Sequence, residues 1–380
     1  MSERPASGYQ YQNAAETLCR HFGLQDLSPL GLTEEYRLGA CAAGGLMRFL
    51  EETQMNALEH LTGIRIYQGE KTMLLDKNTR RNLELTESYR GRVRKGSLLH
   101  LMDKTATAMG SRLLRSWIEQ PLIDRDAINE RLDAVEELTG SHVLAMTLAG
   151  ELQGVYDVER LLGKVAYKSL NARDCLSLCA SLKKVPGIRE LLSGLKSDAM
   201  VALREHLDPL EDLTGLLERA IHPDAPITIS DGGIIAPGYN KLLDEYRDAA
   251  ANGKAWVLEL EQKEREQTGI KNLRIQYNRV FGYYIEVTKS FYDMVPDRYI
   301  RRQTLANAER YVTPELKEME QKIVGAQEQS VRLELELFSE LRETISGQIL
   351  AIQHTAEALK TLDALLALAR LAVDNHYVRP

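Results

Sequence analysis

Cysteine is scarce in this chain: four residues in 380, at positions 19, 41, 175 and 179, with no C-x-x-C pair. Spacing this irregular excludes a disulfide framework and a zinc knuckle, and no metal site is expected. The i, i+4 pair Cys175 and Cys179 reads as two small fillers on one buried helical face. Long apolar runs are missing as well. The most apolar stretch, Leu362 to Val373, spans 12 residues and includes Asp363 and Arg370, against about 20 apolar residues needed to cross a bilayer. It predicts a buried helix and no membrane partner. No apolar segment follows Met1, so no secretory leader is expected and the chain is read as cytoplasmic. With 11 Pro, 26 Gly and no low-complexity tract, disordered and fibrous classes are excluded.

Catalytic machinery is also missing. No G-x-x-x-x-G-K-[ST] occurs, since Gly163-Lys164-Val165 and Gly253-Lys254-Ala255 lack its spacing and its hydroxyl. Acidic pairs such as Asp124 with Asp126 and Glu136 with Glu137 are what a solvated helical face produces. With no Ser/His/Asp arrangement either, no catalytic residue, no cofactor and no enzymatic activity are expected of these 380 residues.

What is present is helical periodicity, which predicts a mainly α protein. Apolar residues recur three and four apart from about 44 to 63 and from 97 to 120, where Pro121 forces a break. Further helices are expected at about 124–139, 141–152, 156–168, 171–183 and 199–221, with Asn171 as an N-cap. Residues 64–75 suggest a short hairpin. Three prolines and three glycines in the 17 residues from His222 to Gly238 mark a boundary. Beyond it, Tyr239 to Gln267 reads as one long helix that ends at Gly269, with Gly253 as its weak point. A second long helix starts where Thr313 caps and Pro314 takes the first position, and its stripe continues from Leu316 through Leu341 to Ile345. The two arms should pair antiparallel and carry what lies between them at one end.

That intervening segment is the most informative in the chain. Residues 271–310 hold eight basic residues (Lys271, Arg274, Arg279, Lys289, Arg298, Arg301, Arg302, Arg310) against four acidic ones, in a protein of net charge −7. A basic island on an acidic protein attracts polyanions while the remainder suppresses nonspecific contacts. Seven of the 23 aromatics fall in the same segment, and most read as the small core of a β-rich tip. From Val280 to Thr288 the pattern alternates, with Tyr283, Ile285 and Val287 on one face and Tyr284, Glu286 and Thr288 on the other. Arg301, Arg302, Gln303 and Thr304, then Asn307 and Arg310 near an expected helix start, combine guanidinium forks with amide and hydroxyl donors suited to phosphate oxygens. Nothing there resembles a base-reading helix, so a duplex would be held by its backbone without sequence preference.

Long runs of these residues carry a resemblance. Asn278 to Thr288, Tyr299 to Tyr311 and Thr313 to Lys317 are similar to the clamp region of the MutS family of DNA mismatch repair proteins. The likeness extends through Leu75 to Leu85, Met109 to Leu114, Asp157 to Leu161 and Asn171 to Asp174, and ends with Asn375 to Pro380. It implies a multi-helix core, two long antiparallel lever helices and a small β-rich clamp at their tip. The divisions it implies are a connector remnant at 1–43, core and lever at 44–250, clamp with adjoining lever ends at 251–320, and returning core and lever at 321–380. It also implies double-stranded DNA as partner and, for a full-length bacterial, nucleoid-associated parent, ATP with Mg2+, homodimerisation and a MutL-type repair partner. By this likeness the chain reads as a middle fragment without the mismatch-recognition and ATPase domains. The family's Phe-x-Glu wedge string recurs at Phe49-Leu50-Glu51 and Phe338-Ser339-Glu340, but inside helical patterns in the wrong regions. A helical scaffold for protein partners, or a relative acting in recombination or on ribosome-associated RNA, is the alternative reading.

Overall fold

The computed structural model describes residues 6–30, 32–54, 58, 61, 63–64, 71–229, 232–278 and 282–380. It is mainly α, with one small antiparallel sheet. In chain order the first helices are α1 (Tyr11–Phe22), α2 (Arg37–Gln54), α3 (Lys77–Asn82), α4 (Leu98–Met102), α5 (Ala108–Glu119), α6 (Arg125–Thr139) and α7 (His142–Gln153). Then come α8 (Val158–Ala166), α9 (Ala172–Leu182), α10 (Val185–Leu191), α11 (Asp198–His206), α12 (Glu211–Ala220) and α13 (Lys241–Thr268). Strands β1 (Arg274–Asn278), β2 (Gly282–Thr288), β3 (Ile300–Thr304) and β4 (Ala308–Val312) precede α14 (Pro314–Gly347) and α15 (Ile349–Asn375). Two compact units result, one of Met1–Glu218 with Arg342–Pro380 and one of Arg219–Leu341.

In the first unit α15 is the hub. It is buried on nearly every side from Leu359 to Ala367, as a helix apolar all round must be, and α5, α6, α7, α8 and α11 pack on it. Its one buried acid, Asp363, accepts the backbone N–H groups of Ala106 and Thr107 at 2.8 Å each and the Thr107 hydroxyl at 2.6 Å. Burial pushes the Asp363 carboxyl above its ordinary range despite these donors. The contact corrects one expectation: the periodic stretch 97–120 is two helices. Asp363 holds residues 106–107 out of helical conformation, and Thr107 then caps α5 by accepting the Gly110 N–H at 3.0 Å. The stretch 199–221 is likewise split, into α11 and α12. Pro209 and the positive φ of Leu210 interrupt it, and the Thr355 hydroxyl accepts the Asp208 N–H at 3.2 Å.

Other boundaries also move. The helix expected from 44 begins at Arg37, and α10 was not anticipated. Asn171 and Asp174 form a capping box, as the sequence suggests. Of the hairpin expected at 64–75, residues 65–70 lie outside the described set, and Thr72 makes a single antiparallel bridge to Leu122. Cys175 and Cys179 are buried free thiols, and desolvation pushes Cys175 up to about 12.

In the second unit α13 and α14 run antiparallel. Arg247 reaches Glu334 at 2.8 Å, Gly253 faces Ile323, and Lys263 meets Glu315 at 4.0 Å, so one number falls as the other rises. Gly253 is therefore a contact point rather than a weak one: a Cβ there would lie 2.1 Å from Ile323 Cγ1. Thr313 accepts the Leu316 N–H at 3.1 Å and Pro314 opens α14, as the sequence predicts. The sheet, of order β1-β2-β4-β3, occupies the ends of both helices at Gly269 and Thr313. Its inner face packs Ile275, Ile285, Val287 and Tyr311 against Val257, Leu260, Leu316 and Ile323.

Candidate nucleic-acid interface

The ladder fixes which side chains share a face. Ile275, Ile285, Tyr311 and Arg301 stand opposite one another across the four strands, and the next such row is Arg274, Glu286, Arg310 and Gln303. Ile275, Ile285 and Tyr311 of the first row face the apolar core, Arg301 at its edge is exposed, and the second row faces away. Between Arg301 and Gln303 the register shifts, which leaves Arg302 as an extra residue on edge strand β3. At the β1–β2 connection Gly282 has φ +74°, and a Cβ there would lie 1.6 Å from Glu320 Oε1. Only glycine fits, because that carboxylate accepts the Tyr283 N–H at 3.3 Å.

Two buried carboxylates organise the core face. Glu264, near the end of α13, accepts the Tyr299 hydroxyl at 2.7 Å and Arg298 at 2.5 Å. Glu309, in β4, accepts the Tyr311 hydroxyl together with Arg301 and the Thr304 hydroxyl, the latter two at 3.3 Å. Burial, then the hydrogen bond to Glu264, pushes the Tyr299 phenol above its ordinary range, and Tyr311 rises through burial and Glu309. The Tyr311 hydroxyl first, with Arg301 adding, holds the Glu309 carboxyl below the usual carboxylate range. On the outer face Arg310 donates to Glu286 at 3.3 Å and to Gln303 Oε1 at 2.9 Å, with its guanidinium 4.3 Å above the Tyr284 ring.

The basic residues of the sequence-defined site therefore divide. Arg298, Arg301 and Arg310 are tied to carboxylates inside the unit, and Gln303 and Thr304 serve the same networks. Arg310 lies within β4 and not at a helix start. Arg279 lies outside the described residues. Lys271, Arg274, Lys289 and Arg302 are exposed and make no ion pair among the described residues. Lys271 precedes β1, Arg274 opens it, and Lys289 follows β2 with its N–H donated at 3.1 Å to the carbonyl of Asn307 in the β3–β4 turn. Arg274 and Arg302 stand on opposite edge strands of a four-stranded sheet, about 14 Å apart at the usual strand spacing. Sequence reasoning missed Glu264, Glu309 and Tyr311 as internal partners. The alternation of Ala308-Glu309-Arg310-Tyr311-Val312 was the available signal, since a strand turns Glu309 and Tyr311 to the core and Arg310 outward.

A long antiparallel helix pair with a small, tyrosine-rich antiparallel sheet at its end, joined in sequence to a helical body, defines a mainly α class of architecture. The match to MutS domain III covers residues 78–369, and that to MutS domain II covers residues 1–62. The chain is 46% identical to the DNA mismatch repair protein MutS of Lachnoclostridium phytofermentans and 48% identical to that of Alkaliphilus metalliredigens, over 98% of its own length in each case. It is 49% identical to the MutS of Caldicellulosiruptor bescii over 89%. The chain belongs to the MutS family. It spans about two fifths of the length of these relatives, 40%, 42% and 39% respectively. Among the described residues no helix is long and apolar enough to cross a membrane, and no group of His, Cys, Asp and Glu is arranged to hold a metal.

Proposed function

We propose that the sheet of the second unit grips the backbone of double-stranded DNA without reading sequence, as the clamp of a mismatch repair protein. The observation that carries this reading is the set of exposed cations Lys271, Arg274, Lys289 and Arg302, unpaired among the described residues, with Asn307 beside Lys289. The internal carboxylates are already occupied by Arg298, Arg301 and Arg310, so this second set keeps its charge for phosphates. The paired arginines shape the platform, and the unpaired cations make the contact. In this proposal α13 and α14 act as levers that link DNA engagement to the ATPase of a longer parent. That parent binds mismatched DNA, uses ATP and Mg2+ to signal repair in the bacterial cytoplasm, works as a homodimer and engages a MutL-type partner. The connector, core, lever and clamp divisions belong to the same proposal. No step of ATP chemistry is assigned to these 380 residues, which contain no P-loop sequence.

Fluorescence anisotropy with a labelled duplex tests the contact. K271E/R274E/K289E/R302E should weaken binding at least tenfold in low salt and lower the slope of log K against log salt by about 3 to 4. Fully paired and mismatched duplexes should bind this chain alike. Undiminished binding by the quadruple variant removes these residues from the DNA surface.

A further inference from the structure

A second basic region lies in the other unit. Residues 77–95 hold seven basic residues against two acidic ones, a denser positive charge than the sheet carries. They span α3 and the turn-rich loop that follows it, where the Ser88 N–H donates to the Val93 carbonyl at 2.8 Å and the Arg92 N–H to the Ser88 carbonyl at 3.1 Å. The compact loop turns Arg90, Arg92 and Lys95 to solvent. Among the described residues neither these three nor Lys77 and Arg80 make an ion pair, although Arg80 acts on Asp76 at longer range. Arg81 is 4.9 Å above the ring of the exposed Tyr89. Arg94 is the exception: it pairs with Asp103. Of the two acids, the half-buried Glu84 accepts the Tyr89 N–H, and Glu87 is the more exposed carboxylate of the stretch.

The arrangement says what shape of ligand it suits. A hollow of about 740 Å³ lies beside the loop, lined by Leu83, Leu98 and Leu101 with Arg94, Asp103 and Lys104 among its polar residues. Lys77, Arg80, Arg90, Arg92 and Lys95 are not part of its wall. The cations are spread over a surface instead of converging on a cavity, so they fit an extended polyanion lying across them rather than a small anion held within.

Magnitudes separate nucleic acid from an acidic protein. Exposed ion pairs contribute little individually, so an acidic protein segment needs apolar anchors to bind. The five cationic side chains supply none themselves, and the exposed Leu83 and Val93 lie scattered among them, so the charge density of the ligand decides. A duplex presents one phosphate per about 1.7 Å of its axis and releases condensed counterions on contact, so an exposed cation cluster alone gives affinity. We infer that Lys77, Arg80, Arg90, Arg92 and Lys95 form a second phosphate-backbone contact for duplex DNA, separate from the sheet.

The test uses the 380-residue chain and a labelled, fully paired duplex of 30 base pairs. R90E/R92E/K95E should weaken binding about tenfold or more in low salt and lower the salt slope by about 2 to 3. R90Q/R92Q/K95Q should lower the slope similarly with an unchanged circular dichroism spectrum. Wild-type affinity and slope in both loop variants overturn the inference. A loss caused by K271E/R274E/K289E/R302E alone leaves the sheet contact standing and removes the loop contact, whereas a loss caused by the loop variants alone does the reverse. Loop-dependent binding of labelled poly-glutamate as tight as that of DNA overturns it too, in favour of an acidic protein partner.

Discussion

Of the seven described basic residues between 271 and 310, three meet carboxylates inside their unit, whereas of the seven between 77 and 95 one does. The difference follows from secondary structure. Strand pairing and helix packing bring a carboxylate to each of the three: Glu286 of β2 to Arg310 on the outer face, Glu309 of β4 to Arg301 on the edge strand, and Glu264 of α13 to Arg298 in the turn before β3. A loop of tight turns can leave all its cations in water. Net charge counted along a sequence thus overstates what a sheet can offer a ligand and comes close to the truth for a loop.

The sharpest way to break this contrast is to remove the acid that anchors the sheet. Glu264→Ala leaves the Tyr299 hydroxyl without its acceptor and Arg298 with Gln267 Oε1 at 3.1 Å, and should cost about 2 kcal/mol, with amide exchange accelerated in β3 and β4. Unchanged exchange there would mean that Glu264 is not the anchor. The corresponding acid near the loop is Asp103, which accepts the Ser111 and Thr105 hydroxyls at 2.5 Å each and pairs with Arg94. Asp103→Ala should cost about 2 kcal/mol in urea unfolding. The loop cations, which do not depend on it, should keep most of their contribution to DNA binding.

Smaller effects sharpen the comparison inside the sheet. Arg301→Ala should lower stability by about 0.5–1 kcal/mol, as suits a half-exposed pair, while Arg302→Ala should change stability by less than about 0.5 kcal/mol yet weaken duplex binding severalfold. Equal effects of the two on stability would erase the distinction between paired and unpaired cations. pH adds a further check. The Glu309 carboxyl is depressed in the folded state, so its contribution is present above the ordinary glutamate value of about 4.3 and is lost as pH falls through the lower folded value. Tyr299 and Tyr311 are raised, so their contribution is full below about pH 10 and is lost only as pH rises through their higher folded values. Thermal melts should show the gap between wild type and Glu309→Gln closing below about pH 4 and constant from pH 6 to 9.

Much of the fold was legible because its signals are local. Thr313 with Pro314, the capping residue Asn171 and the αL residue Gly269 bounded their helices as read. The alternation of Tyr283 to Thr288 predicted a strand whose faces the register bears out at Ile285 and Glu286. Elsewhere the reading failed for different reasons. Pro209 was a visible breaker that the apolar period outweighed, whereas the break at 103–107 joins a local turn, in which Asp103 accepts the Thr105 N–H at 3.1 Å, to the hold of Asp363, more than 250 residues away, on residues 106–107. Arg310 lies in β4 and not at the helix start its basic neighbours suggest, because the alternation from Ala308 to Val312 pairs with β2.

By itself the sequence determined the helical character, the two long arms, the position of a basic β-tip between them and the family, because periodicity, caps and runs of identical residues are properties of neighbouring positions. Only the tertiary structure decided which cations remain available. Glu264 meets Arg298 and Tyr299 across more than 30 residues, and Glu286 meets Arg310 across 24. Whether a guanidinium faces a carboxylate or water depends on strand register and helix packing, which bring together groups that no local pattern places side by side.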